Sequence, residues 1–271
     1  MLQRIDHLVV VVRDLARAAA DFANAGFTVT AGGEHVGGAT HNSLIAFDDG
    51  TYFELIAFKE PDRPQHHKWW TRLAVGEGLT DYALGSDDLV ADAARLRQQG
   101  MALDGPVDGG RRRPDGEQLA WRTILLGRGL TSGTEQPALP FVIEDVTPRA
   151  LRVPAGAATR HRRPVTRVAG VTIVVGDLTT AAALSKVLGA PGRPSTASRR
   201  ERDARALRFD IGRQWIELVI PAQDDGALAH HWRAFGDGPY EVVLSEGGTA
   251  GPGDGELLSG DTHGARLRIA T

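Results

Sequence analysis

The sequence predicts an α+β fold built from repeated βαβββ modules, the last of them truncated. Three observations carry that expectation. RIDHLVVVVRDL at residues 4–15 recurs as RVAGVTIVVGDL at 167–178, each a β-branched run leading through Asp-Leu into an alanine-rich stretch. FDDGTYFEL at 47–55 recurs as FDIGRQWIEL at 209–218, each with a turn signal between two strand-like runs. One helical pattern for every few strand patterns suits an α+β protein rather than a doubly wound parallel sheet.

The first run, 5–12, reads as a strand, and 16–25 as a helix stopped by Gly26. A glycine-rich loop (Gly32, Gly33, Gly37, Gly38) precedes a strand opened by His41-Asn42. Asp49-Gly50 turns the chain into the closing strand of the module. A fainter copy starts at Gly78, with a strand at 79–85, Asp87-Asp88-Leu89, a helix to about residue 99 and a stop at Gly100. Strands follow near 119–126 and 139–146. The stretch 149–163, rich in Arg, Ala and Pro, is expected to be a linker between a domain at 1–148 and a degenerate one at 164–271. In the latter, a helix at 179–188 ends at Gly189, and three strands (240–245, 256–259 and 265–269) follow without a helical pattern between them.

Composition narrows the function classes. The chain has 271 residues, with 31 basic and 34 acidic side chains and a formal net charge of −3. That balance argues against a nucleic-acid binder. Absence of cysteine excludes disulfides, thiolate metal sites and a cysteine nucleophile. No apolar run approaches the ~20 residues of a membrane helix. Polar Arg4, Asp6 and His7 interrupt what would be a signal peptide, so a cytoplasmic protein is expected.

Several residues invite chemistry. The glycine loop lacks the following helix and Lys-Ser/Thr of a phosphate cradle. Arg111, Arg112 and Arg113 form a basic turn, and Arg122 follows Trp121 in a strand, where it could clamp a carboxylate or pair with Glu144 or Asp81. His41 reads equally as a pocket residue or a strand-start hydrogen-bonding residue. His66-His67 with Trp69-Trp70 reads as a helical lid or an interface segment, as does His230-His231-Trp232. No serine-hydrolase elbow is present.

A module that opens IDHLVVVV and closes YFELI, with GGATHN at 37–42, RPDG at 113–116, Trp121-Arg122 and LPFVIE at 139–144, resembles the vicinal oxygen chelate superfamily and its glyoxalase-like group. The resemblance implies paired modules curled into half-barrels, with metal ligands on the first and last strands of each module. Carried onto this chain it implies His7, Glu54, Asp81 and Glu144 as ligands of a divalent ion (Zn, Ni, Fe or Mn). Glu54 or Glu144 would move the proton, and His41, Asn42, Arg113, Trp121 and Arg122 would contact a small-molecule ligand. The implied function is a metal-dependent lyase, isomerase or oxygenase acting on an oxygen-chelating substrate. The alternative is a non-catalytic binder of the bleomycin-resistance type. Gly170 stands where His7 stands in the first copy and cannot ligate, so no second metal is expected. The helix-less last module leaves Val242, Leu244, Leu267 and Ile269 to be covered, by a homodimer partner or by residues 227–235 folding back.

Overall fold

A computed structural model describes residues 2, 4–127, 138–195, 205–222, 225–247, 250–258 and 260–270. The expected end of the 256–259 strand, Ser259, lies outside the described residues. The first half contains β1 (Ile5–Val12), α1 (Leu15–Asn24), β2 (Thr30–His35), β3 (Thr40–Ala46), β4 (Tyr52–Phe58), α2 (Trp70–Val75), β5 (Gly78–Gly85), α3 (Leu89–Gln98), β6 (Leu103–Arg112), β7 (Gln118–Leu126) and β8 (Phe141–Asp145). After α4 (Arg149–Arg152) come β9 (Arg167–Val174), α5 (Thr179–Leu188), β10 (Arg193–Pro194), β11 (Arg205–Ile211), β12 (Gln214–Ile220), α6 (Ala227–Phe235), β13 (Gly238–Ser245), β14 (Glu256–Leu257) and β15 (Leu267–Ala270).

Local chemistry sets the helix ends. The Asp14 carboxylate accepts the Arg17 amide at 3.0 Å, and Asp88 does the same for Ala91. Gly189 closes α5 with φ +70°, a left-handed cap that a side chain would oppose.

β1 pairs parallel to β4 and antiparallel to β5, so each module places its first strand at the centre of the sheet. The first half is ordered β1-β4-β3-β2-β6-β7-β8-β5 and closes into a barrel. Closure rests on Glu34 opposite Arg112 and His35 opposite Arg111. The second half is an open sheet ordered β10-β11-β12-β9-β13-β15-β14. Alternation along β1 sends Leu8, Val10 and Val12 into the main core, and Val9 and Val11 into a second cluster with Phe141 and Ile143.

Residues 149–163, expected as the linker, carry α4 and a single 3-10 turn, and Arg152 is buried there. Val242, Leu244 and Leu267 are also buried, in the same core as Leu8 and Val10. The first barrel's outer face therefore covers these residues within one chain, with Ile269 partly buried beside them. The helix at Ala227–Phe235 folds back on the second sheet, where Leu228 joins Val174, Val219 and Tyr240, and it also reaches α2, where the Arg72 guanidinium lies 3.6 Å over the Phe235 ring. Among the described residues, no helix is long and apolar enough to cross a membrane.

Candidate functional site

A cavity of about 630 Å³ opens inside the first barrel. Its floor is built by β1 and β4, whose register sets His7 opposite Tyr52. The His7 ring stacks on Tyr52 at 4.7 Å. Beneath it lies Asp6, fully buried, with one oxygen 2.8 Å from His7 Nδ1. Burial would raise the Asp6 carboxyl, but the Arg152 charge and the His7 contact hold it well below the usual range. An ionised carboxylate only accepts, so His7 Nδ1 carries a proton, and its Nε2 lies 3.6 Å from Glu54. Arg152 donates to Asp6, Asp145 and the Tyr52 hydroxyl, fixing the floor from below.

Glu54 is the hub. Asn42 Nδ2 donates to its Oε1 at 2.6 Å, and His35 Nε2 lies 3.3 Å from the same oxygen. Burial alone would raise Glu54. The His35 hydrogen bond and charge, the His7 charge and the Asn42 hydrogen bond overcome that and hold it at about 2. His35 Nδ1 is 2.9 Å from the Thr40 hydroxyl. Arg111 orients Asn42 by donating to its Oδ1 at 3.0 Å, and its second terminal nitrogen reaches the Arg152 carbonyl at 3.1 Å. Both direct acceptors are neutral, and the Glu54 charge is the nearby one that favours this buried guanidinium. Gly32 makes room for the pair: a Cβ there would sit 2.0 Å from Asn42 Oδ1.

The segment before β5 forms the roof. Lys68 donates to Asp81 at 2.7 Å and lies 4.1 Å over the Phe141 ring, while Trp69 Nε1 reaches the same Asp81 oxygen at 2.9 Å. The Trp69 amide donates to His67 Nδ1 at 3.2 Å. Burial and the neighbouring Lys68 push His67 down to about 4, and this neutral imidazole is part of the cavity lining. Residues 66–69 of this roof form bends and turns ahead of α2 rather than a helix.

The structure brings together some expected residues and separates others. His7, Asn42, Glu54 and Trp121 line the cavity. Asp81 faces a smaller neighbouring pocket and is claimed by Lys68 and Trp69. Glu144 points away, between Ile143 and Asp145 on β8, where it binds Arg122 and accepts the Leu89 amide at 3.1 Å. His41, next to Asn42, and Arg122, next to Trp121, take the outer face because successive strand residues alternate. Arg113 pairs with Asp115 at 2.7 Å and stays outside. The expected ligand set His7, Glu54, Asp81 and Glu144 therefore does not converge. His35, Tyr52, Arg111 and Arg152 escaped sequence reasoning, although Arg111 lay within the basic turn and His35 beside the glycine loop.

His7, His35 and Glu54 bring two imidazoles and an ionised carboxylate to the cavity, donor types that borderline transition metals accept, but their ligand atoms do not all lie within 4.8 Å of one another. Asp6 and Thr40 hold the outer nitrogens of the two rings, as partners of metal-bound histidines commonly do. The rings address different oxygens of Glu54, so the carboxylate stands between them.

A glyoxalase-like domain family matches residues 5–189, more than half of the chain. No curated protein matches the sequence. Among solved structures, a hypothetical protein from Staphylococcus aureus superposes with a TM-score of 0.70 at 13% identity, covering 98% of each chain. A mutant of 4-hydroxymandelate synthase from Streptomyces coelicolor gives 0.57 at 15% identity, over 90% of this chain and 71% of that one. A fusion of a xylose isomerase-like TIM barrel with a 4-hydroxyphenylpyruvate dioxygenase gives 0.54 at 15% identity, over 90% of this chain and 36% of that one. These likenesses concern the fold. With its βαβββ modules and central first strands, the chain belongs to the glyoxalase-like family of the vicinal oxygen chelate superfamily.

Proposed function

We propose that the first barrel is a metal-dependent enzyme site acting on a small, anionic substrate with two neighbouring oxygens. The observation that carries this reading is the approach of His7 and His35 to opposite oxygens of an ionised Glu54 in the cavity. These three residues would hold the ion, which when bound supplies a Lewis acid for developing oxyanion charge. Glu54, held at about 2, is a ligand rather than a proton carrier at neutral pH. Arg111 adds fixed positive charge in a wall shielded from water, where it favours an anionic group. His67 offers Nε2–H as a neutral hydrogen-bond donor from the roof. Trp69, Trp121 and Phe141 exclude water around the non-polar part of the substrate.

Those aromatic walls also support the second reading, sequestration of a ligand without turnover. Metal analysis of protein purified without chelator tests the first. A stoichiometric ion is expected that is lost in His7→Ala and His35→Ala and retained in Asp81→Asn and Glu144→Gln. Ion content indifferent to His7 and His35 sinks the enzyme reading, and ligand binding that persists in such protein favours sequestration.

A further inference from the structure

The cavity wall formed by β6 and β7 carries hydrogen-bond donors that no described residue uses. Arg111 is 3% exposed and lines the cavity, yet its Nε has no hydrogen-bond partner. Its terminal nitrogens are already engaged by Asn42 Oδ1 and the Arg152 carbonyl. Among the described residues, Trp121 Nε1 and the Thr123 hydroxyl, both on lining residues, also lack partners. A buried guanidinium donor left unpaired is costly unless a ligand or an ordered water supplies the acceptor. On the reading of this cavity as the substrate site, on which the inference rests, we propose that the β6–β7 wall is a carboxylate subsite. Arg111 Nε, with Trp121 Nε1 and the Thr123 hydroxyl, receives an anionic group of the ligand that is separate from the two oxygens facing the ion.

Strand geometry gathers these donors. Alternation sets Gly109 and Arg111 on one face of β6, and Trp121 and Thr123 on one face of β7, with Gly109 opposite Trp121. A Cβ at Gly109 would lie 2.4 Å from Trp121 Nε1, so the glycine lets the indole lie against β6. Guanidinium and indole nitrogens donate and do not accept. Asp108 is the one acid of these two strands that lines the cavity, and it is exposed. A wall of donors matches a carboxylate, whose two oxygens only accept. Arginine keeps its charge at every working pH, so the match does not depend on a protonation state.

The charges and the spacing agree with a separate anionic group. Burial disfavours the Arg111 charge, Glu54 opposes that effect, and Arg152 and Arg113 add to it. With Glu54 engaged by an ion, Arg111 would be left to the charge of the ligand. The Asn42 amide stands between the two, accepting from Arg111 at 3.0 Å and donating to Glu54 at 2.6 Å. A ligand that meets both ends spans that amide, so its carboxylate is not one of the oxygens at the ion.

The test titrates the full chain, after chelator treatment, with phenylacetate and with phenylacetamide, which differ little in shape. Calorimetry should show phenylacetate binding about tenfold or more tighter, and the same preference with Zn²⁺ added. Arg111→Gln should abolish the preference and Arg111→Lys should keep part of it. Thr123→Val should weaken phenylacetate binding by about threefold, with circular dichroism unchanged in each variant. No saturable phenylacetate binding, equal binding of the two probes, or a preference that survives in Arg111→Gln overturns the proposal and leaves Arg111 Nε to an ordered water. A preference present only with Zn²⁺ also overturns it, because the carboxylate then sits on the ion. The metal reading is judged on ion content in His7→Ala and His35→Ala, so either proposal can fail without the other.

Discussion

Two copies of one strand pair face two different environments. In the first, His7 lies opposite Tyr52 and Val9 opposite Glu54; in the second, Gly170 lies opposite Trp215 and Thr172 opposite Glu217. The equivalence of Glu54 and Glu217 is thus one of register as well as sequence. Their surroundings differ. The Trp215 indole lies over Gly170, where the first copy has the His7 imidazole, and its Nε1 reaches the Ala250 carbonyl at 2.7 Å. Among the described residues Glu217 hydrogen-bonds the Ser195 and Thr172 hydroxyls, and burial raises its carboxyl above the usual value. The same glutamate is held below the usual carboxyl range where two imidazoles meet it, and is raised above it where an indole fills the floor.

The largest effect should come from removing what holds the charged floor. Arg152→Ala leaves Asp6 buried without its main counter-charge, and a loss of about 3–5 kcal/mol is expected by urea denaturation. A loss under about 1 kcal/mol would show that the floor does not depend on that pairing. Gly170→Ala tests the opposite floor. A Cβ there would lie 2.2 Å from Trp215 Cδ2, so overpacking should cost about 1–3 kcal/mol while ligand binding in the first barrel stays unchanged. A Gly170→Ala protein as stable as the parent would mean that the indole yields easily.

A finer effect separates the two glutamates by pH. Glu54 is depressed, so its contribution to stability is present above its unfolded value near 4.5 and is lost as pH falls towards 2. Glu217 is raised, so its contribution is present below 4.5 and is lost as pH rises through its folded value. Glu54→Gln should flatten the acid side of the stability profile, and Glu217→Gln should remove a decline on the higher side. Denaturation midpoints of the three proteins between about pH 2 and 7 would check this. Shifts of the same sign in both variants would contradict the contrast.

Much of the fold was legible because it rests on local periodicity. The Asp-Leu steps mark helix starts, Gly26, Gly100 and Gly189 follow the helices as stop signals, and the helix at Thr179–Leu188 has the expected bounds. The candidate site was less legible. Sequence reasoning named both members of His41-Asn42 and of Trp121-Arg122, yet a strand can aim only one of two neighbours into a barrel. The same rule turns Glu144 outward beside Ile143 and leaves it capping α3.

By itself the sequence determined the repeating module and its strand and helix periods. These follow from side-chain spacing within a few residues. Only the tertiary structure decided which charges meet. His35 reaches Glu54 through the curvature of β2, β3 and β4, and Arg111 reaches Asn42 from a strand 69 residues away. Asp81 is removed from the site by Lys68, brought down on it by the roof. Such contacts depend on how strands close and segments fold over them, which no local spacing records.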